Sequence, residues 1–200
     1  MRKLLLAAVF LAAPLLAPPA SAQMMQSKGY KFLDAVKGAK GQEVIDMLDE
    51  PGQTIINTRD ISTGEGALHI VVKRQDLTYL KYLLSRGADA NLRDARGNTP
   101  LLLAVQYGQV DMIPVLTNAR ANPNLANASG ETPLIRAVQK RDLALVRALL
   151  AVKANPDQTD NVAGMSARDY AHADGRSPAI AKLIDETPKT ASKAVAGPRL

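Results

Sequence analysis

The chain has no cysteine, no tryptophan, two phenylalanines and two histidines among its 200 residues. Without thiols no disulfide can tie the fold together, and no thiolate can serve as nucleophile or metal ligand. With so few rings, any core must be packed from Leu, Val, Ile and Ala; at 46% hydrophobic residues the chain has enough of them for one domain. Hydrolytic catalysis needs a nucleophile, a base and an orienting group, and two scattered histidines supply few candidates for the base. No His–His or Cys spacing resembles a metal-ligand set. The carboxylate pairs Asp49-Glu50 and Asp185-Glu186 fall at expected helix ends, where solvated acids are common. Gly64-Glu65-Gly66 lacks the third glycine and the preceding strand of a phosphate-binding phrase, and reads as turn chemistry. Asn127-Ala128-Ser129 matches a glycosylation acceptor, which matters only in a eukaryotic source. No catalytic, cofactor-binding or metal-binding residue is therefore assigned, and the chain is expected not to be an enzyme.

The formal charge of +6 invites a nucleic-acid reading, but the basic excess sits at the ends. Residues 1–22 carry Arg2 and Lys3 without an acid, and residues 187–200 carry Lys189, Lys193 and Arg199 without one. The remainder holds 20 basic and 19 acidic side chains, too even a balance for phosphate neutralisation to be its main business. The last stretch, rich in Ala, Lys, Thr, Ser and Pro, reads as a disordered basic tail.

At the N-terminus, Arg2 and Lys3 precede an apolar run over 4–17, and Ala20-Ser21-Ala22 is a small-residue cleavage site. Pro14, Pro18 and Pro19 interrupt the run, which argues for a secretory signal rather than a membrane span. Cleavage is expected between Ala22 and Gln23, giving a periplasmic or secreted protein with no stable membrane insertion. No thiol follows the run to carry a lipid anchor.

The centre of the chain is periodic. Gly97-Asn98-Thr99-Pro100-Leu101 recurs as Gly130-Glu131-Thr132-Pro133-Leu134, with a weaker copy at Gly64-Glu65-Gly66-Ala67-Leu68. Leu68, Leu101 and Leu134 are equally spaced, and Ala88, Ala121 and Ala154 keep the same interval, as do Asn91, Asn124 and Asp157. A further copy, Gly164-Met165-Ser166-Ala167-Arg168, arrives one residue late, the extra residue falling in the loop at 157–163. Upstream, residues 32–36 and 44–48 resemble one more helix pair. About five units follow, in keeping with repeat architectures of fixed period.

Within a unit, Thr99 and Thr132 are N-caps and Pro100 and Pro133 stand at the first helical position, where a missing N–H costs nothing. Leu101, Ala104 and Val105 then share one helical face, and Gly108 closes the helix in a left-handed conformation. A second helix is expected over 110–118, with Pro114 about one turn inside it, shortening or kinking it. No single helix pair could bury its apolar face; stacking joins the faces into a continuous core.

These phrases are similar to the ankyrin repeat, whose fixed period and T-P-L-H-x-A signature match at 99–104 and 132–137. The second half of a unit is best matched at 83–91, and the resemblance covers about residues 30–186. Proteins of this type are exported by bacteria, which suits the N-terminal signal. The resemblance implies an all-α fold, an α-solenoid of about five stacked ankyrin-type helix-turn-helix repeats with short β-turn loops. The expected layout is a signal at 1–22, a linker at 23–29, units at about 30–60, 61–93, 94–126, 127–159 and 160–186, and the tail at 187–200. The family's motif histidine survives as His69, implied to brace adjacent turns; Leu102, Ile135 and Asp169 replace it elsewhere. His172, near Asp169 and Asp174, is read as a surface residue of the last unit. The glycine after the second helix is kept at Gly87 but becomes Arg120 and Lys153, whose turns are expected to be rearranged, with Pro123 and Pro156 stiffening the loops.

The resemblance also implies that turn tips and first-helix ends line a concave face that meets a protein partner. The helix-end row is Lys73, Arg74, Gln106, Tyr107, Gln139 and Lys140; among turn residues, Arg96 and Asn98 join it. This basic row with a central aromatic suggests an acidic or mixed partner surface with Tyr107 as anchor. The expected function is a monomeric, exported interaction scaffold or adaptor with no cofactor and no nucleic-acid partner. The alternative is a regulatory or immunity-like accessory subunit of one exported enzyme.

Overall fold

The computed structural model describes residues 27–188. The signal-type segment, residues 23–26 of the linker and residues 189–200 of the tail lie outside them.

Short capped helices come in pairs. The first pair is α1 (Lys28–Lys37) and α2 (Gly41–Asp49), followed by a 3-10 turn at Ile55–Asn57. Next come α3 (Ala67–Lys73) with α4 (Leu77–Ser85), α5 (Pro100–Gln106) with α6 (Met112–Asn118), and α7 (Pro133–Gln139) with α8 (Leu143–Ala151). The last pair is α9 (Ala167–Ala173) and α10 (Pro178–Asp185). The inner helices α1, α3, α5, α7 and α9 pack in series, and the outer helices do so from α4 to α10. Among the described residues the sole β feature is an isolated bridge between Thr159 and Ser166. The architecture is an all-α solenoid.

Helices of seven residues are marginal alone, so caps and packing must hold them. The Thr99 hydroxyl accepts the Leu102 N–H at 3.2 Å, and Thr132 does the same for Ile135. Asp76 and Asp142 cap α4 and α8, accepting from Tyr79 at 2.9 Å and from Ala144 and Leu145 at 3.0 and 3.1 Å. The central inner helices are buried on almost every side: Pro100, Leu101, Leu102, Leu103, Ala104 and Val105 are all buried in α5, whereas the terminal helices α1 and α9 keep an exposed face. The core is aliphatic apart from Phe32 and Met112.

Helix α6 corrects the expected span. It starts at Met112, two residues after Val110. Gln109 stands one repeat period from both Asp76 and Asp142, so the capping carboxylate of the sister helices is missing here. Pro114 consequently falls in the first turn, and the Val110 carbonyl is taken by the Ile113 N–H in a tight 3.1 Å turn. In that first turn the proline neither kinks the helix nor breaks a bond.

The turns after α6 and α8 are a second correction. Arg120 and Lys153 both sit at φ 67°, in the left-handed region that Gly87 occupies at φ 88°. The closing bonds are the same in all three: Ala88, Ala121 and Ala154 donate to Leu83, Leu116 and Leu149 at 2.9–3.1 Å. These turns are not rearranged. Stacking of buried Ala88, Ala121 and Ala154 holds them in place despite the backbone penalty.

At the C-terminal end, Arg168 occupies the position where the earlier units place Leu68, Leu101 and Leu134. It is buried and donates to Asp157 at 2.8 Å, to the Ile184 carbonyl at 2.9 Å and to the Thr187 carbonyl at 3.2 Å. Its guanidinium closes the stack over the end of α10.

Candidate partner-binding face

Four turns project from the inner helices, and each is organised by one Asx side chain. The Asp60 carboxylate accepts from the Ser62 and Thr63 N–H groups, and Asp94 from Arg96 and Asn98. Asn127 accepts from Ser129 and Glu131, and Asp160 from Val162, Ala163 and Gly164. At the first and last turns the charged form is favoured: the Ser62 hydroxyl above all holds Asp60 far below the usual carboxylate range, and the Tyr170 hydroxyl lowers Asp160. Successive tips are then stitched together. Ala95 donates to the Thr63 carbonyl at 2.9 Å, Ala128 to Arg96 at 3.0 Å, and Asn161 to Ser129 at 2.9 Å.

A second ladder runs behind the tips. The Asn57, Asn91 and Asn124 side chains accept from Asp89, Asn122 and Asn155, each in the following unit, at 2.7–2.8 Å. His69 is fully buried between two turns. Its Nδ1 accepts the Gly66 N–H at 3.1 Å, and its Nε2 lies 3.0 Å from the Asn98 carbonyl. An amide can only donate and a carbonyl only accept, so the ring is the neutral Nε2–H tautomer. Burial, the largest effect, pushes its pKa below the ordinary value. Asp169 reproduces half of this arrangement, accepting from the Ser166 N–H at 2.9 Å.

Between the second and third units the tips and helix ends enclose a groove of about 340 Å³. Lys73, Arg96, Asn98, Gln106 and Tyr107 all line it. Tyr107 is 41% exposed and Arg96 is exposed; Lys140 donates to the Gln106 carbonyl at 2.9 Å from the neighbouring helix end. Gln139 reaches the Tyr170 hydroxyl. Several of the expected residues are engaged internally, Lys73 among them through its ion pair with Glu65. Asn98 is buried, with its side chain on Asp94 at 2.9 Å and Asn127 at 3.2 Å. Arg74 turns toward the outer helices, donating to the Val36 carbonyl at 2.6 Å and to Asp76 at 2.9 Å, over the Tyr79 ring at 5.5 Å.

The other singled-out groups are held in structural contacts. His172 Nε2 lies 3.0 Å from Asp185, and Asp49 and Glu50 accept from Arg86 and Lys28 at 2.6 Å. Asn127 uses its amide and carbonyl inside the turn, which makes the Asn127-Ala128-Ser129 sequence part of a closed bond network. Among the described residues no group of three or more His, Asp or Glu side chains is placed to hold a metal ion.

Sequence reading missed the four Asx positions, although Asp60, Asp94, Asn127 and Asp160 recur at close to the repeat period. It also missed the apolar turn residues Ile61 and Val162, 69% and 81% exposed. No periodic signal marks those two, because they lie in the turns lengthened by one residue.

Comparison with known proteins converges on one family. A family model described as ankyrin repeats, three copies, matches residues 32–127 and again 68–160. The chain is 46% identical over 55 residues to a potassium channel of Arabidopsis thaliana, covering 28% of this chain and 6% of the channel. It is 42% identical over 50 residues to the NF-kappa-B inhibitor alpha of Gallus gallus, covering 25% of this chain and 16% of that protein. An ankyrin repeat protein of Rickettsia bellii is 34% identical over 82 residues, 41% of this chain and 45% of its own length. The chain thus spans less than half the length of these relatives.

Proposed function

Because this chain belongs to the ankyrin repeat family, we propose that it is an exported, non-enzymatic adaptor that holds one protein partner against its turn-and-helix-end face. Ankyrin repeats are protein-interaction scaffolds, and the observation that carries the reading here is Tyr107. It stands 41% exposed at the rim of a polar groove. Large, rigid amphipathic side chains in such positions dominate interface energetics. The partner surface is acidic or mixed, and the adaptor works as a monomer.

Export rests on the signal-type pattern of residues 2–22. Among the described residues no helix is long and apolar enough to cross a membrane. The near-even charge between the two basic ends favours a protein partner over nucleic acid. The likeness to a protein named as an inhibitor supports a second reading, in which binding changes the partner's activity.

The test is affinity capture from the exported fraction with the wild-type chain and with Tyr107→Ala. Loss of one specific partner in the variant is the expected result. Unchanged recovery removes Tyr107 as anchor, and retention of the tagged chain in the cytoplasm removes export.

A further inference from the structure

Resting on the partner-binding reading, we infer that this face takes an extended protein segment of about eight or nine residues, apolar at both ends and acidic in the middle. The argument begins with the charge left free on the face. Its carboxylates are occupied: Glu65 by Lys73, Glu131 by Arg136, Asp94 by Asn98 and the Arg96 N–H, and Asp160 by its own loop and Tyr170. Lys37 is likewise held by Asp60. The third unit breaks this pairing. Asn98 stands where its neighbours place Glu65 and Glu131, so the centre of the face has no exposed acid of its own. Arg96 and Lys140 remain there without a carboxylate among the described residues, Lys140 meeting only the Gln106 carbonyl; Arg93, beside the same turn, meets only the Ala126 carbonyl. An unpaired cationic centre selects a partner with carboxylates opposite it.

The apolar contacts lie on the same line. The large hydrophobic side chains exposed among the described residues are Tyr30, Ile61, Tyr107 and Val162. Ile61 and Tyr30 share a depression at the first turn, Tyr107 is central, and Val162 tops the last turn. Scattered surface apolar residues are ordinary, but Ile61 and Val162 stand in the first and last turns of the stitched row, with Tyr107 in the groove beside its centre, a placement that marks a contact surface. Three tip-to-tip steps separate the first turn from the last. At helix-packing spacing they span roughly 25–30 Å, which an extended chain covers in about eight or nine residues. Four of the five units supply one such side chain each, which fits a strand-like segment lying along the stack.

The probes are three sets of synthetic peptides of about twelve residues, long enough to cover the line: acidic with apolar ends, acidic with polar ends, and basic with apolar ends. Binding to the purified chain is read by fluorescence anisotropy at low and high salt, and mapped by amide NMR shifts. The acidic, apolar-ended set is expected to bind best and to weaken severalfold in high salt. Arg96→Glu with Lys140→Glu should shift preference to the basic set. Ile61→Ser with Val162→Ser should lower affinity by about tenfold or more. Both double variants change exposed side chains, and their folding is checked by thermal melting. Equal or better binding of the basic set, or no binding by any set, overturns the inference while leaving the reading of Tyr107 as a partner anchor intact. Shifts that map to the outer helices overturn both.

Discussion

The imidazole Nε2 of His69 and the carbonyl of Asn98 meet at 3.0 Å across 29 residues of chain, inside a site closed to solvent. One neutral ring thereby links the start of α3 to the turn before α5 and positions the floor of the groove. Protonation would remove the acceptor that Nδ1 offers to Gly66.

That geometry predicts a pH dependence. Burial lowers the folded-state pKa of His69 below its ordinary value of 6.5. As pH falls through the unfolded value the unfolded chain takes up a proton that the folded chain refuses, so stability drops. Between the unfolded and folded values the loss is about 1.4 kcal/mol per pH unit. Denaturant unfolding at several pH values should show the decline below pH 6.5, and His69→Leu should abolish most of it. An unchanged slope in that variant would place the effect elsewhere.

The core rests on leucines repeated in register. Leu101→Ala, at a fully buried position, should lower stability by about 2–5 kcal/mol, measured by urea unfolding. A loss below about 1 kcal/mol would mean that the units do not share a cooperative core.

Two backbone substitutions should act in opposite directions. Gly97 sits at φ 78°, and an added Cβ would lie 2.8 Å from the Ala128 nitrogen that stitches the tips together. Gly97→Ala should cost about 2 kcal/mol or more. Lys153 sits at φ 67° and is exposed, so Lys153→Gly relieves strain and should be neutral or stabilising by up to about 1 kcal/mol. Melting temperatures of the two variants decide both signs.

Arg168 closes the C-terminal end through a side chain that ties the loop at Asp157 to the end of α10. Arg168→Met keeps much of the packing and removes the charged hydrogen bonds, a loss of about 1.5–3 kcal/mol. Hydrogen exchange should show lost protection in α10 while α5 and α7 keep theirs. Uniform loss across all helices would show a stack that unfolds only as a whole.

Much of the fold was legible because ankyrin signals are local. Thr99 and Pro100, or Thr132 and Pro133, specify a helix start through contacts within four residues, and they stand in the structure as N-cap and first helical residue. The expected start of α6 failed for an equally local reason: Gln109 occupies the position of the capping aspartate. At Arg120 and Lys153 residue-type preference points away from a left-handed turn, and burial of the alanine that follows each overrides it. At the candidate face, register alone points to Arg74 and Asn98. Nothing within a unit reveals that Arg74 reaches Val36, 38 residues upstream, or that Asn98 serves Asp94 and Asn127.

By itself, the order of residues determined the period, the helix pairs, the caps and an aliphatic core. Each depends on neighbours a turn apart or on the repetition of one pattern. Tertiary structure alone decided which cations stay free, that His69 is neutral, and that Tyr107 lines one groove with the turn tips of the unit before it. Those outcomes depend on partners a whole unit away along the chain, brought within hydrogen-bond distance only when the units stack.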